Sequence, residues 1–194
     1  MNLLLVTPPA VTPVSLAEAK EHLRVEHDLD DAYITSCIAA AVSRIDGRNG
    51  WLRRSLINRT YQLFLPWFPV ARCIPLPLPP LNSVSSIKYQ DENDVEQTFS
   101  SGSYQVVKNE DEGYIYLKTG ESWPGNTFER PDAVKIEFVA GYGAAGSDVP
   151  GNIRHAIKIE IGALYAERGD AEIDVDPQIA TRRLLAPHKR VLLR

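Results

Sequence analysis

With 194 residues, the chain is one domain or one core carrying an insertion, and two full enzyme domains are excluded. Hydrophobic residues at 44% and charged residues at 24% suffice to bury a core, which excludes disorder throughout. Lys and Arg number 21 against 25 Asp and Glu, a formal net charge of −4, so a surface that grips nucleic-acid phosphates all over is excluded and any DNA contact is local.

Three regimes follow in order: helical periodicity to about residue 48, short strands punctuated by Pro and Gly to about 140, and helical periodicity again to the end. The opening is extended and proline-rich until Ser15, which predicts an N-cap, with Glu18 three residues on closing a capping box and a helix running from Leu16 to Val25. Asp30 or Asp31 caps a second helix whose Ile34, Ile38, Val42 and Ile45 form one apolar stripe, ending near Gly47 or Gly50. Strand-sized segments follow at 60–65, 84–89, 96–99, 104–107, 114–118 and 133–139, joined by turn-like connectors that favour antiparallel hairpins between consecutive strands. The run 74–81, IPLPLPPL, is excluded from the centre of a sheet because each proline removes a ladder donor; it is an edge or a crossing segment. Pro150 opens a third helix with Ile153, Ile157, Ile161 and Leu164 on its apolar face, and Pro177 opens a shorter fourth helix through Leu185. Between these two helices Glu167, Asp170, Glu172, Asp174 and Asp176 are opposed only by Arg168, whereas residues from 182 onward carry Arg182, Arg183, Lys189, Arg190 and Arg194 and no acid.

Candidate chemistry is sparse. Gly141-Tyr142-Gly143-Ala144-Ala145-Gly146 has the GxGxxG form, but the expected helix begins several residues later at a proline, without the free N–H groups that a pyrophosphate needs, so a glycine hinge is the better reading. His22 stands four residues after Glu18, one pair where zinc takes three or four ligands, and no catalytic or metal constellation is expected. The acidic loops around Asp91 to Glu96 and Glu110 to Glu112 lack the spacing of an EF-hand and read as solvated hairpin tips. Cys37 and Cys73, far apart and without a CxxC, read as small buried hydrophobes and point to a reducing compartment. No apolar run approaches the roughly 20 residues of a membrane span, and MNLLLVTPP lacks the form of a signal peptide, so a soluble intracellular chain without a membrane partner is expected. Tyr61, Phe64, Trp67 and Phe68 form an aromatic cluster suited to a core or subunit contact.

Taken in order, LVTPPAVTPVSLAEAKEHLRVEHDLDDAYI, INRTYQLFL, LPPLNSVSSIKYQDENDVEQTFSSGSYQV, ESWP, RPDAVKIEFVAGYG and VPGNIRHAIKIEIGALYAER resemble the tailed-bacteriophage head-tail connector family, which includes adaptors of gene transfer agents. The resemblance runs from about Leu3 to Arg168 and weakens after Gly169. It implies an α+β fold, a small helical bundle of about four helices with an antiparallel β insertion between helices 2 and 3. The parts would be residues 1–57 and 141–186 for the helical core, 58–140 for the insertion and 187–194 for a tail. It further implies a non-enzymatic virion component without cofactor or metal, a ring copying the portal's twelve-fold symmetry at the head-tail junction of a particle assembled in the bacterial cytoplasm. Its partners would be the portal, a stopper or tail protein, and double-stranded DNA passing without sequence-specific contact. Another connector of the same particle, a stopper or tail-completion protein, is the alternative, and a nucleotide- or metal-binding enzyme a more distant one. Within this reading Arg182, Arg183, Leu184, Leu185, His188, Lys189, Arg190, Val191, Leu192, Leu193 and Arg194 are the expected portal-docking residues, assigned by position and by their mixture of cations and leucines. Tyr61, Phe64, Trp67 and Phe68 are the expected ring interface.

Overall fold

The computed structural model describes residues 2–125, 127, 130–167 and 179–189. It is a mixed α+β structure, with four α-helices and two antiparallel sheets among the described residues. The chain divides into two compact units, one made of Met1–Pro8 with Asn58–Tyr142 and the other of Pro9–Ile57 with Gly143–Arg194.

The first unit is all β. Its strands are β1 (Asn2–Thr7), β2 (Arg59–Leu65), β3 (Cys73–Leu76), β4 (Leu81–Gln90), β5 (Glu96–Thr98), β6 (Tyr104–Lys108), β7 (Gly113–Leu117) and β8 (Val134–Ala140). One sheet has the order β1-β2-β8-β4-β5 and the other β3-β7-β6. The expected hairpins form at β4–β5 and β6–β7. β1 pairs with β2 across the first two helices, and the other pairings are not between consecutive strands: β8 lies between β2 and β4, and β3 pairs with β7. The β8 sequence alternates buried Val134, Ile136, Phe138 and Ala140 with half-buried residues, as a strand with one face on a core requires. Those side chains join Tyr61 and Leu63 of β2, Ile87 of β4, Ile74 and Leu76 of β3, and Ile115 of β7 in one hydrophobic core. Gly113 marks a close approach, since a Cβ there would stand 2.5 Å from the Cβ of Leu81.

One detail of this unit differs from the sequence reading and another agrees with it. Residues 2–7 are a strand on β2, with Leu3 opposite Leu63 and Leu5 opposite Tyr61, although the short run NLLLVT has no alternation to announce it. The proline run yields β3, an edge strand as its chemistry demands, with Pro75 opposite Tyr114.

The second unit holds α1 (Leu16–Leu23), α2 (Asp31–Ile45), α3 (Gly151–Glu167) and α4 (Ile179–Leu185). The capping box forms: the Ser15 hydroxyl accepts from the Glu18 amide at 3.2 Å, and Glu18 Oε2 accepts from the Ser15 amide at 3.0 Å. α1 stops two residues earlier than expected because Arg24 takes a left-handed conformation, φ 57°, and its amide bonds back to the last turn. Asp30 is the N-cap residue of α2, and the stripe buries Ile34, Ile38 and Ile45 together with Cys37 and Ala41. α3 starts directly after Pro150 and buries Ile153, Ala156, Ile157 and Ile161. The expected start of α4 at Pro177 and the acidic run Arg168 to Asp176 lie outside the described residues.

Charged pairs lock α3 to its neighbours. Arg154 donates to the second carboxylate oxygen of Glu18 and, at 3.1 Å, to the carbonyl of Pro13. Arg44 of α2 pairs at 2.8 Å with Glu160, which is buried. Glu18 thus serves the cap and the helix contact together, and the Ser15 amide first, then Arg154, holds its carboxyl below the usual 4.5. A carboxyl depressed in the folded state stabilises fully above its unfolded value and loses that contribution as pH falls through the folded one. Glu18→Gln should therefore flatten the acid limb of stability against pH, below about pH 4.5, in urea titrations. An unchanged limb would show that Glu18 contributes nothing there.

Candidate functional site

The GxGxxG segment is not a phosphate cradle. Gly141 donates its amide to the carbonyl of Pro80 at 2.9 Å, and Asp148, in a 3₁₀ turn over Gly146–Asp148, accepts the Ala145 amide on its carboxylate at 2.9 Å. A Cβ on Gly143 would fall 2.0 Å from that carboxylate, and one on Gly146 would fall 2.9 Å from the carbonyl of Pro13. The glycines serve close packing, beyond the hinge expected of them, and a carboxylate already occupies the amide an anion would seek.

The other candidates resolve into structural roles. His22 stands edge-on to His155 with ring centres 6.5 Å apart, and desolvation, then Lys158 and His155, hold its imidazole below the ordinary 6.5. No group of three or more His, Cys, Asp or Glu able to hold a metal occurs among the described residues. Asp91 accepts the amides of Asn93 and Val95 and the Gln97 side chain, and Asn109 accepts the amides of Asp111 and Glu112, so both residues shape hairpin turns. Cys37 is buried and burial pushes its thiol up, away from reactivity, while Cys73 is half-buried on β3. Among the described residues no helix is long and apolar enough to cross a membrane.

The four aromatic residues expected at a ring interface part company. Tyr61 is buried and stacks on Phe138 at 5.6 Å. Phe68 is buried too, parallel to Trp123 at 5.1 Å and beside Tyr89 and Phe99, while Trp123 donates its indole N–H to the carbonyl of Ala71 at 2.9 Å. Their rings are committed to the unit's own core, which corrects their assignment to an interface. Phe64 is half-buried and Trp67 points out, 65% exposed, with Val70 fully exposed on the same loop.

The C-terminal candidates divide in the same way. Leu185 is 1% exposed and belongs to the core, a correction to its expected docking role. Arg182 and Arg183 are exposed on α4, Leu184 is half-buried, and Pro187 sits in a 3₁₀ turn over Ala186–His188. No local pattern marks Arg54, a side chain only 1% exposed whose Nε donates to the carbonyl of His188. Lys189 lies over the Trp51 ring, 4.5 Å from its centre. Arg54 stands in the tight loop after α2, where Gly47, at φ 82°, donates its amide to the carbonyl of Arg54 at 2.6 Å. Arg190, Val191, Leu192, Leu193 and Arg194 lie outside the described residues.

Adjacent Trp67 and Phe68 allow a direct test of this division. Phe68→Ala should cost about 3–5 kcal/mol as a large core deletion, whereas Trp67→Ala should leave the melting temperature within about a degree of the parent, since exposed substitutions stay within about 0.5 kcal/mol. Equal losses in a thermal melt would place both rings in the core.

The chain matches the model of a family described as phage gp6-like head-tail connector protein over residues 13–114. No curated protein matches it. Among solved structures it is similar to a chain in the neck of an empty gene transfer agent particle with C6 symmetry. The TM-score is 0.82 at 25% identity, covering 100% of this chain and 98% of the other. A chain of the native gene transfer agent virion gives a TM-score of 0.80 at 24% identity, covering 100% and 98%. A chain of the native neck with C12 symmetry gives 0.76 at 23%, with the same coverage.

Proposed function

The chain belongs to the phage gp6-like head-tail connector family, and from that premise we propose that it is an adaptor, a homo-oligomeric ring under the portal that continues the DNA channel and joins capsid to tail. The observation that carries this reading is the likeness over the full length of both chains to a component of a gene transfer agent neck. Twelve copies agree with the C12 symmetry of one such neck, and C6 is a subgroup of that symmetry. The ring sits at the head-tail junction of a virion or phage-like particle assembled in the host cytoplasm, with the portal above and a stopper or tail protein below.

In this reading the helical residues form a small bundle core, and residues 58–142 are a β insertion between α2 and α3; this rests on the two compact units. The ring acts by shape and not by catalysis, in keeping with titratable side chains spent on caps, turns and helix pairs. A formal charge of −4 per copy limits adhesion to DNA in transit, because phosphates are held by Lys and Arg.

Portal docking falls to Arg182, Arg183, Leu184, His188 and Lys189 with residues 190–194 beyond them, and Leu185 is left out because it is buried. The charge reversal supports it: a basic, leucine-rich end on an acidic chain suits an apolar cleft rimmed by carboxylates. The truncation that tests it must spare the His188 carbonyl, an acceptor of Arg54. A chain ending at Lys189 should fold and melt like the parent but fail to co-sediment with portal-bearing capsids. Parental levels of capsid binding would rule the last five residues out as the anchor.

A further inference from the structure

Two sheets have four edges, and two of them are closed by their own sequence. β5 is three residues long, and its Glu96 is held by Lys88 at 2.7 Å and Lys135 at 2.9 Å, so that edge is short and charged. β3 carries Pro75, which lacks an amide to offer. Both are recognised devices against pairing with another chain.

The other two edges have no such device. Among the described residues β1 pairs only with β2; it contains no charge and no proline, and exposes Leu4, Leu5 and Val6 to 44–52%. β6 pairs, among the described residues, only with β7 and exposes Val106 at 36% and Val107 at 43%, its one charge being Lys108, whose amine bonds the Asn82 carbonyl at 2.7 Å. The strands are six and five residues long, so one could pair along the whole of the other. Each presents outward the amides and carbonyls of an edge strand, a template on which another strand can pair.

A closed ring is built from a heterologous contact, in which one patch of each copy meets a different patch of the next. Two open edges on one compact unit, one in each sheet, supply such a pair. We propose that β1 of one copy adds to β6 of its neighbour, so that strand addition around the ring links each five-stranded sheet to the next copy's three-stranded sheet. The inference rests on the ring reading above and assigns its contact. The backbone ladder supplies pairing, and the apolar side chains Leu4, Leu5, Val6, Val106 and Val107 leave water as it forms.

The chain carrying Leu4→Cys and Val106→Cys together, assembled on portal-bearing capsids and treated with a short bis-maleimide, should give a ladder of dimers, trimers and higher species on a denaturing gel. The parent, which keeps Cys37 and Cys73, and each single substitution should stay monomeric. Dimers from Leu4→Cys alone would mean that β1 meets β1, and would overturn the proposal. A missing ladder in particles whose necks still hold the ring by cryo-EM would overturn the strand pairing and leave the adaptor reading standing. Necks that lack even the parent chain would overturn both. Leu5→Lys and Val107→Lys give a second measurement: each should melt like the parent and be lost from necks, while Leu29→Lys, at an exposed site between α1 and α2, should be retained. Retention of both edge variants at parental levels would also overturn the pairing.

Discussion

The β unit depends on a strand that arrives last and sits in the middle. β8 pairs with β2 along seven residues on one side and with β4 on the other, and its Ile136 and Phe138 are buried at the centre of the core. Until residues 134–140 are in place, β2 and β4 have no common partner and β1 has only β2. Closing a loop of this length costs entropy before any contact returns it, so the sheet forms as a whole or not at all. The same arrangement decides which edges remain. With β8 central, the five-stranded sheet ends in β1 and β5, one apolar and the other short and charged.

The helical unit has a comparable keystone in Arg54. Burying a guanidinium is unfavourable unless its donors are satisfied, and the carbonyl of His188 is one of its acceptors. A loop following α2 therefore fixes the end of the described C-terminal segment, with Lys189 against Trp51 as a second tie. Arg154 and Arg44 make the equivalent connections from α3 to Glu18 and from α2 to Glu160. Charges that look like solvated helix faces in the sequence are in these cases contacts between helices.

What was legible in the sequence is what depends on neighbours three or four residues away, or on a tight turn. The Ser15 to Glu18 box, the stripe of α2, the start of α3 after Pro150 and the two hairpins all have local causes and were read correctly. The placement of β8, the strand at residues 2–7 and the burial of Arg54 depend on partners more than forty residues away and leave no local pattern. Trp67 and Phe68 show the limit most clearly. Two adjacent aromatic residues read as one cluster, yet Trp123 and Phe99 receive only one of the rings. Among the residues expected at an interface or a docking site, composition alone does not separate the side chains that hold the chain together from those that stay exposed.

That separation also limits which residues a partner can use. A side chain that the folded chain needs cannot be released to a partner without a cost of the size of a core deletion, so Tyr61, Phe68 and Leu185 are unsuited to docking. Exposed apolar groups and unpaired edge amides have the opposite property: their gain is realised only when a second chain covers them. The open edges lie in the β unit, and the exposed cations of α4 lie in the helical unit. On the proposed strand pairing and portal docking, contacts between copies and contacts with a portal would draw on different residues of different compact units, so neither would have to be given up to make the other. A ring whose copies meet through single strand pairs holds each contact weakly, since five or six residues of ladder are a small interface. If each copy is anchored by a separate segment, as proposed, the local concentration of neighbouring edges rises, which would favour closure of the ring on a portal over association in free solution.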